Sequence, residues 1–213
     1  MSAAVPPPPP QPPASSSPAG SYPATLGFDL PEKVARWRVI GNIILAIPQL
    51  IVLYALRIVA EVLAVVAWIL GVFTGKVPEG ILGPIAMYIR YSNRVTAYAL
   101  FLTEDYPPFT FATAFDEPGD YPPVANSFVP ALEGRNRLTI FFRLILAIPQ
   151  AIVLGVLGFV AFFAIVIGWF AVLFTGSWPT GPRNFVLGVL RWNNRFSAYT
   201  CLLTDEYPPF NMS

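Results

Sequence analysis

Two stretches of the chain show almost no alternation between apolar and polar positions. From Val39 to Phe73 nearly every residue is apolar, and only Arg57 and Glu61 carry charge. From Ile140 to Phe174 the pattern returns, with Arg143 as its only charge. Runs this long and this greasy belong in a lipid bilayer, where about 20 apolar residues in a helix cross the hydrocarbon core. As one straight helix each run would be about 50 Å long, well beyond that core. The pattern therefore predicts a hairpin. Two short arms would meet near Arg57 in the first run and near Gly155 and Gly158 in the second, entering and leaving the lipid by one face.

Each run is followed by a loop of helix breakers and then by a helix of mixed character. Over Ile81 to Leu102, the residues Arg90, Asn93, Arg94 and Ala97 fall on one narrow stripe at helical spacing, with apolar residues around most of the remaining circumference. The helix stops at Thr103-Glu-Asp-Tyr-Pro-Pro-Phe109, where paired prolines forbid its continuation. Gly75 and Gly176 are placed to end the apolar helices in the left-handed conformation that glycine adopts without strain.

A constant displacement lays the chain on itself. Leu45-Ala-Ile-Pro-Gln49 becomes Leu146-Ala-Ile-Pro-Gln150, and Phe73-Thr-Gly75 becomes Phe174-Thr-Gly176. Arg90, Asn93, Arg94 and Tyr98 become Arg191, Asn194, Arg195 and Tyr199, and Tyr106-Pro-Pro-Phe109 becomes Tyr207-Pro-Pro-Phe210. The chain is a tandem duplication. It divides into a proline-rich, disordered tail (1–28), a first membrane repeat (29–109) in which Asp29 to Arg38 opens a helix, a linker (110–134) and a second repeat (135–213). The expected fold class is an all-α membrane protein, each copy a hairpin-like transmembrane segment plus an embedded amphipathic helix. A pseudo-two-fold axis along the membrane normal would relate the copies. In that arrangement Lys33, Arg36, Arg38, Lys76, Arg90, Arg94, Arg135, Arg137, Arg143, Arg183, Arg191 and Arg195 share one side and only Arg57 opposes them. The positive-inside rule then puts both termini and the linker in the cytoplasm.

These motifs resemble a family of actinobacterial membrane proteins catalogued as domain of unknown function 4389. The likeness carries both copies and leaves out tail and linker. It implies an integral membrane protein of bacteria and no reaction; the apolar segments themselves predict a multi-pass protein of the inner membrane.

Composition narrows the chemistry. Of 213 residues, 55% are hydrophobic and 12% charged, with a net charge of +1, which disfavours a nucleic-acid partner. There is no histidine, so the commonest general base and metal ligand is missing. The one cysteine, Cys201, sits among apolar neighbours and reads as a small core residue. The start of the chain lacks the basic and apolar regions of a secretory signal. No metal or cofactor is expected, and an enzyme is the weakest class.

The best candidate site is the pair of stripes Arg90, Asn93, Arg94 and Arg191, Asn194, Arg195. As guanidinium forks at the headgroup level they suit lipid phosphates. Alternatively they pair with Glu104, Asp105, Asp205 and Glu206 or cap loops. Arg57 and Glu61, one helical turn apart, form a candidate intramembrane pair or a self-neutralising pair at the hairpin turn. The sequence thus points to a non-enzymatic scaffold or accessory subunit that contacts anionic lipid and a membrane partner or a second copy of itself. The alternative is a small transporter or permease component with a site between the repeats.

Overall fold

The computed structural model describes residues 22–212 and is mostly helical. The order is β1 (Ala24–Phe28), α1 (Arg38–Thr74), α2 (Glu79–Ala99), β2 (Val124–Phe128), α3 (Arg137–Phe141), α4 (Arg143–Thr175) and α5 (Thr180–Thr200). Most of the proline-rich tail lies outside the described residues.

Three expectations need correction. First, α1 and α4 are each one continuous helix, so the hairpin does not form. The charge that argued for a turn is met in place, because Arg57 Nε donates to Glu61 one turn on, at 2.7 Å. Gly155 and Gly158 each cost only about 1 kcal/mol inside a helix, far less than several unpaired backbone groups at a turn in an apolar setting. Second, no helix opens at Asp29. α1 begins at Arg38, and the segment before it pairs with the other repeat instead: Val34 N donates to Gly176 O at 2.8 Å, and Lys33 bridges Ser177. Third, the fold is not purely helical. Residues assigned to the tail and to the linker form β1 and β2, an antiparallel ribbon centred on the pair Leu26 and Asn126.

The long helices bury one seam only. In α1 it comprises Val39, Asn42, Ala46, Gln49, Ala60, Ala67 and Gly71; in α4 it comprises Arg143, Ala147, Gln150, Ala161, Ala164, Gly168 and Val172. Steps of three and four keep these positions on one side of each helix. Small residues let neighbours approach closely: a Cβ on Gly168 would sit 2.1 Å from the Trp178 ring. The rest of each circumference is apolar and exposed, from Ile40 to Phe73 and from Leu144 to Phe174. Both helices are long and apolar enough to cross a membrane, and only 11% of the most apolar window of each is buried. The caps at Gly75 (φ 71°) and Gly176 (φ 76°) are left-handed, as their sequence context predicts.

Contacts between the repeats come in matched pairs. Val34 N meets Gly176 O, and its counterpart Arg135 N meets Gly75 O at 3.3 Å. The start of each long helix is therefore tied to the end of the other, and α1 and α4 run antiparallel. Between α2 and α5, Asn93 Nδ2 donates to its own counterpart, Asn194 Oδ1, at 2.9 Å. The ribbon sits on this pair: Asn93 also bonds Asn126, and Asn194 reaches Thr25 O. A pseudo-two-fold axis thus passes through the asparagines and the ribbon centre, perpendicular to α1 and α4.

The molecule is layered along that axis. β1 packs on α5 and β2 on α2, while α2 packs on α1 and α5 on α4. On α2, Arg90, Asn93, Arg94 and Ala97 face the ribbon and the loop before it, and Ile81 and Tyr88 pack against the same apolar cluster as Leu63, Ala64 and Trp68 of α1. Ribbon and loops form one outer layer, α2 and α5 the middle, and α1 and α4 the other.

Candidate functional site

The recurring motifs meet each other. Gln49 of the first Leu-Ala-Ile-Pro-Gln motif is fully buried. Its Nε2 donates to Pro107 O of the Tyr-Pro-Pro-Phe turn at 2.6 Å, and its Oε1 accepts from the Tyr91 hydroxyl. Gln150 repeats this with Pro208 O at 2.6 Å and the Trp192 indole at 2.6 Å. Two turns earlier, Asn42 Nδ2 donates to Tyr98 O and Thr103 O, each at 2.9 Å. Its counterpart Arg143 serves the matching carbonyls of Tyr199 and Thr204 at 2.7 and 2.9 Å. These residues cap the ends of α2 and α5, where Phe101 and Leu202 take positive φ. They fix the middle layer against the apolar layer.

On this frame the predicted stripes face the ribbon layer. Arg90, Asn93, Arg94, Asn194 and Arg195 are buried, and Arg191 is half-buried. In the first repeat the stripe is covered by residues 110–120. Arg90 donates to Asp116 O at 2.8 Å and to Ala112 O. Arg94 donates to Thr110 Oγ1 at 2.8 Å, to Glu117 Oε1 at 2.5 Å and to Asp120 Oδ1 at 2.5 Å. Thr110, Ala112 and Pro118 of the segment lie beside Arg90 and Arg94. It also pairs with the ribbon: Asp116 bridges Ser127, Glu117 N donates to Asn126 O, and Phe128 N donates to Phe115 O.

In the second repeat Asn211 and Met212 reach the same face, and among the described residues no segment like 110–120 runs along it. Arg191 Nε donates to Leu26 O at 3.3 Å and its guanidinium stands 5.6 Å over the Phe28 ring; Arg195 donates to Asn211 O. Both arginines line a cavity of about 580 Å³, together with Tyr22, the β1 residues Ala24, Thr25 and Leu26, and Glu206.

The electrostatics follow burial. Burial pushes the Glu117 carboxyl above its ordinary range, with Arg94 opposing. Burial also acts to raise Asp120, but hydrogen bonds from Arg94 and Thr110 outweigh it and hold this acid below its ordinary value. Burial lowers the Arg90 guanidinium. Cys201 is pushed up to about 11 by burial, so its thiol stays protonated.

Two of the acids suggested as partners of the stripes serve other groups. Asp205 is clamped by Arg135 at 2.5 Å and by Arg143, and Glu104 accepts from the backbone of Ala35 and lies 4.0 Å from Arg38. The linker supplies the carboxylates of Arg94 instead. Arg57 and Glu61 bond each other on an exposed stretch of α1, with side chains 61% and 60% accessible, and join no cluster. Among the described residues no group of histidine, cysteine, aspartate and glutamate is arranged to hold a metal. Sequence reasoning missed Gln49, Gln150, Asn42, Glu117 and Asp120. The first three carried a signal, as polar residues inside apolar runs.

A family model described as domain of unknown function (DUF4389) matches the chain twice, over residues 36–110 and 137–211. The two matches bracket the two repeats and together span more than half of the chain. No curated protein and no solved structure matches.

Proposed function

From the premise that the chain belongs to the DUF4389 family, we propose that it is a non-enzymatic membrane scaffold whose long helices lie in the plane of one leaflet. The observation that carries this is the position of the ribbon on the pseudo-two-fold axis, perpendicular to α1 and α4. If the antiparallel helices crossed the bilayer, that axis would lie in the membrane midplane. The outer edge of β1, unpaired with any strand among the described residues, and the buried cluster of Arg94, Glu117 and Asp120 would then sit at hydrocarbon depth. Lipid-exposed sheet edges do not occur there, and charges at that depth are costly. With the axis along the normal the conflict disappears. α1 and α4 offer an apolar slab to the acyl chains, α2 and α5 lie near the headgroups, and the ribbon faces water. Helices of about 50 Å also fit a plane better than a ~30 Å core.

This replaces the multi-pass arrangement with a one-sided one and keeps the expected placement of both ends on one side. Tyr22, at one end of the described chain, donates its hydroxyl to Glu206 O near the other, in the ribbon layer. Under the positive-inside rule that side is the cytoplasm. Exposed cations stand at both ends of the slab: Lys33 and Arg36 beside the end of α4, Lys76 and Arg137 beside the end of α1. They suit anionic headgroups. The stripe residues act chiefly inside the fold, with Arg191 the accessible exception. The contact where a transporter would place its site is taken by the direct bond between Asn93 and Asn194.

The test is sidedness. In sealed vesicles, Arg36→Cys and Lys76→Cys report the two ends of α1. An impermeant maleimide labels both from the same side if the helix lies in plane. Labelling from opposite sides refutes the proposal.

A further inference from the structure

Duplication makes the two ends of the apolar layer comparable, and they are packed differently. At one end Ile165 and Trp169 of α4 pack with Phe101 and Trp178. The rings of Phe101 and Trp178 stack with centroids 5.2 Å apart, and the Trp178 indole donates to Phe101 O at 3.3 Å. By the displacement that relates the repeats, the equivalent residues at the other end are Ala64, Trp68, Leu202 and Val77. Three of these four are smaller than their counterparts. A cavity of about 270 Å³ lies against Ala64, Trp68 and Leu202. Val65 of α1 and Leu144 of α4 also line it, and both are exposed on the apolar faces of their helices, at 59% and 69%. Arg143 borders it too, but its terminal nitrogens are spent on Tyr199 O, Thr204 O and Asp205. The lining therefore presents almost nothing but hydrocarbon.

We propose that this cavity holds one acyl chain of a membrane lipid, in the place that Ile165, Phe101 and Trp178 fill at the other end. The walls of an unfilled void forfeit their dispersion contacts. A flexible hydrocarbon chain restores them and asks for no polar partner, and this lining offers none. The occupant is drawn from lipid because the cavity adjoins Val65 and Leu144, on the exposed apolar faces that acyl chains cover in the proposed arrangement. The inference rests on that contact with lipid, and not on whether the long helices lie along the membrane or through it.

The test fills the cavity with the residues of its counterpart. Ala64→Ile and Leu202→Phe together reproduce Ile165 and Phe101 at this end. Phe101 already takes a positive φ of 47°, as Leu202 does at 64°, so the double variant is expected to fold. An unchanged elution profile and a melting temperature no lower than that of the unaltered chain verify this. Both proteins, as full chains, are reconstituted in vesicles, extracted in mild detergent and weighed intact by native mass spectrometry. The unaltered chain is expected to retain one phospholipid, equally from phosphatidylcholine and from phosphatidylglycerol, because a hydrocarbon chain and not a headgroup is held. Retention falls roughly tenfold in the double variant, whose new side chains take the contacts of the acyl chain, and less in Ala64→Ile alone. Retention indifferent to these substitutions, or confined to phosphatidylglycerol, overturns the proposal and assigns the lipid to the exposed cations at the ends of the slab. A second copy of the chain held in place of lipid, and lost in the double variant, overturns it as well. Flotation with the vesicles separates this inference from the reading beneath it. Flotation without a retained lipid overturns the role of the cavity alone, and failure to float overturns the contact with lipid too.

Discussion

Asn42 and Arg143 stand at equivalent places in the two repeats, differ in charge, and bind the same pair of carbonyls. The exchange is possible because the site asks only for N–H donors; a buried carbonyl pair left without them costs about 1–3 kcal/mol each. The second repeat then has to neutralise the buried guanidinium, and it does so with Asp205, which Arg135 also clamps. Burial would raise the Asp205 carboxyl, yet Arg135 and Arg143 outweigh it and hold it below the ordinary 3.8. The folded protein therefore binds this proton more weakly than the unfolded chain does. The stabilisation is complete above the unfolded value and is lost as pH falls through the lower folded value. Asp205→Asn is expected to cost about 3 kcal/mol at neutral pH, the lower end for stripping a buried ion pair of one partner. Chemical denaturation in detergent across the acid range should also show a flatter dependence on pH in the variant. Equal slopes in the two proteins would deny Asp205 this role. The motif carrying Gln49 was legible in the sequence, but its partner was not. The contact with Pro107 spans 58 positions, and no local pattern announces it.

At the scale of elements, the sequence made the positions and apolar character of the long helices plain, along with their glycine caps and the mixed helices after them. It misled over continuity. A charged pair in mid-run looks like a turn until it is seen that Arg57 and Glu61 satisfy each other along one helix. Spin labels at Ile47→Cys and Val65→Cys, in a Cys201→Ser background, are separated by about 27 Å along a continuous helix. Double electron–electron resonance should find that separation, whereas hairpin arms would bring the labels side by side. The strands were illegible for a different reason. β1 and β2 are five residues each, and such short strands hold only by pairing with each other and packing on α5 and α2. Of the candidate site, the stripes were visible from helical spacing. The carboxylates that complete the first one lie in a segment that reads as linker.

For the whole molecule, duplication was certain from the sequence, but the way the copies face each other depends on contacts between Gly75 and Arg135, Gly176 and Val34, and Asn93 and Asn194. Those contacts set α1 and α4 antiparallel and put the ribbon on the axis. Soluble proteins rarely expose an apolar patch above a few hundred Å². Two helices exposed around most of their circumference are long and apolar enough to cross a membrane, and in the proposed arrangement the lipid lies on the side away from the polar layers. The most direct test is a depth profile. Single nitroxides at Ile44, Ile51, Ile58 and Ile69 in reconstituted bilayers lie on the face of α1 away from its buried seam, and their relaxation is compared with oxygen and with a water-soluble nickel chelate. The in-plane arrangement predicts one common depth for all four. A depth that rises to a maximum near Ile58 and falls toward either end would show a crossing helix and contradict the account.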